Sequence, residues 1–285
     1  MNFFIKIQYE KPEFELKQFN QDGKSYINLV MENAGSLSDP GEPYLPTVST
    51  YYAVEPGKSF SVVVNVQETE TIPNVNILPF ESWDANLTGK LVKGDSYARN
   101  ALYPETIATV SDPIVLRGLT MVQVSVTPFQ YNPVTEELTV IQSVEVELVE
   151  DGVVEMPFIP AKRSRAFEPL YESLVVNYAL LSRDEIEYQQ PAILYVLPSN
   201  LTTSMMNYVE ELMDWKHRVG YEVNYVNSSN VVNNRNNLKN YIDDAYETWD
   251  NPPVHVTIIG DAEGPYDIPT WPDSWSNSNG DGDNP

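Results

Sequence analysis

The chain has 285 residues, which is enough for two domains of ordinary size. Its formal net charge of −24 would repel nucleic-acid phosphates and anionic lipid headgroups, so neither class of partner is expected. The absence of cysteine excludes disulfides, thiolate metal ligands and a cysteine nucleophile within these residues. No apolar run is long enough to cross a bilayer, and the N-terminal residues lack the apolar core of a signal peptide.

The first half of the chain is predicted to be antiparallel β-sheet. Residues 59–67, 121–127 and 138–148 alternate apolar and polar side chains, as in strands with one buried face. The Asn132-Pro133 dipeptide indicates a turn between the last two of these strands, so we expect a hairpin over residues 120–149. With no helical pattern before residue 168, residues 1–165 are predicted to form an all-β domain.

A basic cluster lies where this domain ends. Lys162, Arg163 and Arg165 follow one another in an otherwise acidic protein, and residues 166–190 form a predicted connector. Basic residues between two folded domains are suited to a proteolytic maturation cut, with Arg165 preceding the cleaved bond. An exposed basic linker that is not processed is the alternative.

Residues 191–285 are predicted to form an α/β domain. Apolar strands are expected at residues 192–197, 221–226 and 254–259, with one helix after each of the first two strands. The first helix is predicted to be capped by Ser199 or Asn200 and ended by Gly220. Its expected apolar stripe consists of Leu201, Met205, Tyr208, Leu212, Trp215 and Val219, widened by Met206, Val209 and Met213. The βαβαβ order predicts a parallel sheet, and three strands make it thin enough to suggest a truncated domain.

Two residues at the end of the third strand are candidates for a substrate cleft. Gly260 and Asp261 follow this strand directly, and ligands of parallel sheets bind outside the carboxyl ends of the strands. A structural turn is the alternative for both residues. His255 and His217 are isolated in the sequence, and we expect them to have structural roles.

Metal and cofactor sites are not expected. Asn277-x-Asn279-x-Asp281-Gly282 is similar to the start of a calcium loop, but it lacks a preceding helix and its composition favours a polar surface loop. Calcium is therefore the only ion kept as an alternative. Nucleotide-binding, zincin and redox motifs are absent from the sequence.

Several segments, taken in order, resemble the gingipain family of cysteine peptidases. In the first half, these are GEPYLP (41–46), VEPG (54–57), PFQYNPVTEELTV (128–140) and LVVNY (174–178). In the second half, they are ILYVLPSN (193–200), the helix end DWKHRVG (214–220), and VTIIGD (256–261) with Ile268-Pro269 soon after. The resemblance covers nearly the whole chain.

This resemblance implies a β-rich prodomain followed by the first part of a caspase-like α/β catalytic domain. It also implies export from a bacterial cell to the surface or medium, and a prodomain that packs on its own catalytic domain. The substrates implied are proteins or peptides, cut after basic residues, and Asp273 corresponds loosely to an acidic residue that selects such side chains.

The catalytic residues of the family have no counterpart in these 285 residues. The family uses a Cys-His pair, which the resemblance places past Pro285, so this chain by itself is expected to be inert. The alternative function is a non-catalytic binding or secretion module that retains the peptidase scaffold.

Overall fold

The structure is a computed structural model that describes residues 4–10, 12–21, 23–81, 90–155, 162–181, 187–261 and 264–271. The chain divides into two compact units. The β unit consists of Met1–Pro160 and Tyr171–Leu181, and the α/β unit consists of Ala161–Leu170 and Ser182–Pro285. The chain therefore passes from one unit to the other three times, whereas the predicted domain limits contain a single connector.

In the part that the structure describes, the β unit has eleven strands. They are β1 (Phe4–Glu10), β2 (Glu15–Gln21), β3 (Lys24–Val30), β4 (Gly35–Ser36), β5 (Pro46–Ala53), β6 (Lys58–Ile72), β7 (Ala108–Val110), β8 (Ile114–Leu116), β9 (Leu119–Val126), β10 (Phe129–Asn132) and β11 (Glu137–Val153). One sheet is centred on β11, which pairs antiparallel with β1, β6 and β10. A second sheet is centred on β9, which pairs antiparallel with β5, β7 and β8.

The two sheets bury one shared apolar core. Val122, Val124 and Val126 of β9 and Val146 of β11 are fully buried in the same cluster. Their alternation with polar neighbours is the signal for sheet, and burial of these valines confirms the predicted inward faces. A second cluster surrounds Phe129 and includes residues of β3, β10 and β11.

The predicted hairpin over residues 120–149 is wrong in its pairing. β9 and β11 lie in different sheets, and the hairpin consists instead of β10 and β11, with Phe129 opposite Val140. Pro128 separates β9 from β10, and its missing N–H prevents a continuous ladder at this point. The Pro128 carbonyl accepts a hydrogen bond from the N–H of Ile141 in β11 at 2.9 Å. The chain therefore joins the sheet of β11 at this point, having left the sheet of β9.

Among its described residues, the α/β unit has two sheets of parallel strands. Its strands are β12 (Arg163–Ser164), β13 (Tyr188–Gln189), β14 (Ala192–Val196), β15 (Glu222–Val226) and β16 (His255–Ile258). The main sheet has the order β15-β14-β16, and β12 pairs with β13 alone. The helices are α1 (Glu168–Leu174), which crosses the division between the units, α2 (Thr203–Arg218), α3 (Ser229–Val232) and α4 (Arg235–Thr248).

The helices cover opposite faces of the main sheet. Val209 and Met213 of α2 pack with Ile193 and Tyr195 of β14. Leu238 and Ala245 of α4 pack with Leu194 and Val196 of the same strand on its other face. This arrangement is a consequence of the strand order, because right-handed crossovers to opposite sides of β14 place their helices on opposite faces.

The predicted apolar stripe of α2 is wrong for most of its members. Tyr208, Trp215 and Val219 are 73%, 49% and 52% exposed, whereas Val209 and Met213 are each 9% exposed. The residues expected only to widen the stripe are thus the ones that face the sheet. Within the described ranges, no helix combines the length and apolar character needed to cross a bilayer.

Candidate functional site

The carboxyl edge of the main sheet carries the predicted cleft residues. Gly260 and Asp261 follow β16 after one intervening residue, Ile259, and they begin a turn. The Asp261 N–H donates to the Tyr266 carbonyl at 3.0 Å, and the Ile268 N–H donates to the Asp261 carbonyl at 2.9 Å. The backbone of Asp261 therefore closes a turn, while its side chain lies at an exposed position.

Gly260 is required by close packing in this loop. A Cβ atom at this position would lie 2.7 Å from Cγ1 of Ile268 and 3.1 Å from the Tyr266 carbonyl oxygen. Ile268 is 2% exposed, so it has little room to move away. The residue thus has a structural reason to be glycine, separate from any contact with a substrate.

Two polar residues after β14 hold the neighbouring loops. Asn200 donates a hydrogen bond from Nδ2 to the Pro265 carbonyl in the loop after β16. Ser199 donates to Oδ1 of Asn233 at 3.0 Å. The prediction that one of them caps α2 is wrong, because the cap is Thr202, whose Oγ1 accepts from the Met205 N–H at 3.3 Å. The predicted end of this helix is confirmed, since Gly220 has a positive φ of 97°.

The edge where these loops meet is the switch point of the sheet. The connection from β14 leads to one side and the connection from β15 crosses to the other side, which opens a crevice between the carboxyl ends of β14 and β16. Asn200 spans this crevice. An apolar groove of about 440 Å³ lies nearby, lined by Leu238, Ile242, Ile258, Ile268 and Trp271 among others.

The two histidines do not belong to this edge. His255 is at the start of β16, at the opposite end of the strand, with its ring 5.3 Å from that of Phe167 and 6.2 Å from that of Tyr221. His217 is exposed in the last turn of α2. No cluster of three or more His, Cys, Asp or Glu suited to a metal ion occurs among the described residues. Asp273 and the calcium-like segment 277–282 lie outside the described residues.

The basic cluster is held within the α/β unit. Lys162 forms an ion pair with Glu187 at 3.0 Å, and the guanidinium of Arg165 lies 5.1 Å from the ring centre of Tyr188. Arg163 is partly buried in β12, and Ser164 is 1% exposed. Arg165 begins a 3-10 turn whose cap is Ser164. Lys162 and Arg165 are thus accessible, while Arg163 and Ser164 between them are held in the strand pair β12–β13.

One polar residue that the sequence patterns did not single out is buried in the β unit. Asn177 is 7% exposed and bonds both backbone groups of Ala53, accepting from its N–H at 2.8 Å and donating to its carbonyl at 2.9 Å. The available signal is an asparagine inside the apolar run LVVNYALL, because a buried amide needs specific partners.

The comparisons with known proteins agree with the division into two parts. Residues 2–180 match Propeptide_C25, and residues 186–282 match Peptidase family C25. Gingipain R2 of Porphyromonas gingivalis (strain ATCC BAA-308 / W83) is 25% identical over 244 residues, covering 82% of this chain and 32% of the relative. Gingipain R1 of Porphyromonas gingivalis is 27% identical over 241 residues, covering 82% of this chain and 24% of the relative.

A solved structure shares the fold of most of the chain. The complex of Porphyromonas gingivalis RgpB pro- and mature domains matches with a TM-score of 0.52 and 26% identity, covering 61% of this chain and 93% of that one. The chain spans about a third or less of the length of the curated relatives that it matches. Because the propeptide match alone covers more than half of the residues, this chain belongs to the gingipain family of cysteine peptidases, of which it contains the prodomain and the start of the family C25 catalytic domain.

Proposed function

We propose that these 285 residues are the zymogen segment of a secreted cysteine endopeptidase, with a prodomain followed by the first part of a caspase-like catalytic domain. The observation that carries the proposal is the succession of a propeptide match and a peptidase match in one chain. The parallel main sheet, with helices on both faces, is compatible with this scaffold.

The proposed chemistry is supplied by chain outside these residues. A cysteine thiolate would attack the scissile carbonyl, a histidine would transfer the proton, and backbone N–H groups would hold the oxyanion. This chain contains no cysteine, and its histidines lie away from the carboxyl edge of the sheet. These two facts support the proposal that the segment by itself is inert.

In the proposed zymogen, the β unit covers the catalytic domain that follows it. Support comes from the RgpB structure, which is described as a complex of pro- and mature domains. A prodomain in this position would keep substrates from the active site until it is removed. Gly260, Asp261 and Asp273 are the residues that we propose to line the cleft on the catalytic side.

Maturation is proposed to begin with a cut in the basic cluster. Arg165 is the best candidate for the residue before the cut, since it is exposed while Ser164 is buried. A protease needs an extended substrate, so the 3-10 turn that starts at Arg165 must open before cleavage. Lys162 is exposed as well, and Arg163 becomes accessible only when β12 separates from β13.

The role of Arg165 is tested by following cleavage of the full chain by the mature enzyme. We expect Arg165→Ala to slow the first cut at least about tenfold, because the side chain that would enter the specificity pocket is removed. Arg218→Ala is the matched control, since Arg218 is an exposed arginine near the end of α2. Equal rates for Arg165→Ala and wild type would contradict the assignment.

Cleavage after basic residues and export from the cell are further parts of the proposal. The basic cluster supports the first, because an enzyme that processes its own precursor there must accept Lys or Arg before the cut. The family resemblance supports location outside the cell or at its surface. Assays with peptides carrying Arg, Lys or Leu before the cut, and fractionation of the producing cells, test these two parts separately.

The main proposal is tested on the protein that the native gene produces. Its mass and peptide map are compared with those of the 285 residues. The map also locates any cysteine and any histidine followed by glycine that could form the Cys-His pair. We expect a longer chain with a peptidase activity that disappears in a Cys→Ala variant. A native protein that has no cysteine would overturn the catalytic proposal.

The second candidate is a non-catalytic binding or secretion module that keeps the peptidase scaffold. The observation that favours it is the lack of any cysteine in these 285 residues. The same mass and peptide map distinguish the two candidates, because the module requires neither a cysteine nor a histidine at the sheet edge.

A further inference from the structure

Helix α2 carries an apolar stripe that the main sheet does not cover. Its members, called here the α2 stripe, are Tyr208, Leu212, Trp215 and Val219. They are 37% to 73% exposed, because the helix faces the sheet through Val209 and Met213 instead. Contiguous exposed apolar side chains are typical of interaction surfaces, since their contact with water is unfavourable.

The spacing of the α2 stripe indicates what kind of surface would cover it. Successive members are four, three and four residues apart, which is the repeat that packs one helix against another in a coiled coil. From Tyr208 to Val219 the stripe is about 17 Å long, at the rise of an ordinary helix. The matching surface is therefore another helix with an apolar stripe of the same spacing.

The α2 stripe is complementary to itself when two copies of the helix run antiparallel. If Leu212 lies opposite the partner's Trp215, then Tyr208 lies opposite the partner's Val219, because four residues separate the two members of each helix. A two-fold axis repeats both contacts, so every member of the stripe meets an apolar side chain. In each contact a large aromatic ring meets a smaller aliphatic group, which lets the two helices approach closely.

Charged residues beside the stripe favour the same arrangement. Glu211 comes one residue before Leu212, and Arg218 comes one residue before Val219, so both lie on the same flank of the stripe. Both side chains are exposed. In an antiparallel pair this flank of one helix runs along the same flank of the other, which places Glu211 near the partner's Arg218 on each side of the axis. In a parallel pair the flank would meet the opposite flank of the partner, and these two residues would not face each other.

The largest member of the stripe is already held in place. The Lys216 Nζ lies 4.8 Å from the ring centre of Trp215 and 5.2 Å from that of Tyr221. A side chain that is ordered beforehand loses less conformational entropy when a partner covers it. The last turn of α2 is also basic, with Lys216, His217 and Arg218, so it opposes locally the repulsion between two copies of charge −24.

We infer that the α2 stripe is the contact surface of a homodimer in which the α2 helices of two copies pack antiparallel. The stripe is short, so the dimer is weak, with a dissociation constant on the order of 10–100 μM. Unfolding measured at about 1 μM therefore reports on the monomer. Self-association does not depend on the proposed peptidase function, because it uses the outer side of α2 alone.

Analytical ultracentrifugation of the full chain tests the dimer, from about 2 to about 500 μM and in about 150 mM sodium chloride to screen the net charge. We expect the dimer fraction of the wild type to rise over this range. Leu212→Glu should weaken association at least about tenfold, because it places a carboxylate against the partner's Trp215. Tyr246→Glu is the matched control, since it adds the same charge at a 53% exposed aromatic residue of α4, outside the stripe. Its dissociation constant should stay within about threefold of the wild-type value.

A charge exchange tests the antiparallel arrangement. Glu211→Arg and Arg218→Glu should each weaken association about three- to tenfold, because two pairs of opposite charge become pairs of like charge. The double variant Glu211→Arg/Arg218→Glu re-forms both pairs with reversed signs, so its dissociation constant should return to within about threefold of the wild-type value. Circular dichroism checks that every variant keeps its helix content.

Three results would overturn the inference. The first is a wild-type chain that stays monomeric over the whole concentration range. The second is equal weakening of association by Leu212→Glu and Tyr246→Glu, which would place the contact elsewhere. The third is a double variant that associates no better than the single variants, which would exclude the antiparallel pairing of Glu211 with Arg218.

Discussion

Single residues at the sheet edge show how packing can imitate a functional signal. Gly260-Asp261 beyond the carboxyl end of a parallel strand is the pattern of a ligand site, and it is equally the pattern of a tight turn. The distances favour a packing role for Gly260, because Ile268 and the Tyr266 carbonyl occupy the space of a side chain. The contribution of Asp261 to a substrate cleft stays a prediction.

Gly260→Ala should destabilise the α/β unit by about 1–3 kcal/mol, since the added methyl group must displace buried neighbours. Urea unfolding of the full chain, followed by tryptophan fluorescence, measures the change. Ile268→Ala removes the Cγ1 atom that conflicts with the new methyl group, so the cost of Gly260→Ala should be smaller in that background. Additive costs would show that the contact with Ile268 is not the cause.

Tyr97, Tyr103 and Tyr131 are among the tyrosines of the β unit whose pKa is raised, and they should make the unit sensitive to alkali. Burial raises the pKa of Tyr131 to about 12, and burial also raises the pKa of Tyr97 and Tyr103. In the unfolded chain these groups ionise near pH 10. Because the folded pKa lies above the unfolded value, their contribution to stability is complete below about pH 10 and is lost as the pH rises beyond it.

We therefore expect the β unit to unfold between about pH 10 and pH 12, with loss of circular dichroism together with tyrosinate absorbance. Tyr131→Phe removes one ionising group and should move the midpoint to higher pH. Tyr225→Phe, at a position that is 48% exposed in β15, serves as the comparison. Identical midpoints for the two variants would argue against burial of Tyr131 as a cause.

At the level of elements, the sequence predicted the position of α2 better than its orientation. The helix stops just before the predicted Gly220, and its cap, Thr202, lies two residues after Asn200 and three after Ser199, because caps and glycine are local signals. Its inward face depends on how the helix lies against the sheet. Apolar residues occur on more than one side of this helix, so their spacing alone selected Tyr208 and Trp215, which are exposed.

The observed orientation predicts unequal effects of neighbouring substitutions in α2. Met213→Ala should destabilise the α/β unit by about 2–4 kcal/mol, because it leaves a cavity against β14. Leu212→Ala, one residue away and 37% exposed, should cost less than about 1 kcal/mol. Urea unfolding measures both, and a larger cost for Leu212→Ala would mean that the helix packs through the predicted stripe.

For the β strands too, the sequence predicted part of the structure correctly and part of it wrongly, but for a different reason. Alternation identified the inward faces of β9 and β11, which depend on each strand alone. Strand pairing depends on where the chain passes from one sheet to the other. The predicted hairpin paired β9 with β11, but these two strands lie in different sheets. A proline between two strands, here Pro128, was the local signal for the change.

For the whole molecule, the sequence predicted that a β part precedes an α/β part. It did not predict that residues 161–170 belong to the α/β unit and residues 171–181 to the β unit. Composition and periodicity separated an all-β part from an α/β part. The assignment of residues 162–170 to one unit and 171–181 to the other depends on contacts between residues far apart in sequence, such as Asn177 with Ala53. Local patterns carry no information about such contacts.

The net charge of −24 also acts on the whole molecule. Like charges repel one another more strongly in the compact state than in the unfolded chain, and added salt screens this repulsion. The melting temperature should therefore rise between about 10 mM and 500 mM sodium chloride. A parallel series with sucrose in place of the salt separates screening from general solvent effects. A melting temperature that stays constant or falls with added salt would show that repulsion among the negative charges does not lower the stability of the folded chain appreciably.

The segment 171–181 belongs to the β unit although it follows residues of the α/β unit, and this has a consequence for the order of events during synthesis. A nascent chain that has emerged only as far as Arg165 lacks the residues that pair with Tyr51 and Ala53 and fill the pockets of Tyr171 and Tyr178. The β unit therefore completes its fold only after the first residues of the α/β unit have already left the ribosome. Translation thus delivers the two parts in an interleaved order, and the prodomain becomes complete while it is already joined to the beginning of the domain that it accompanies.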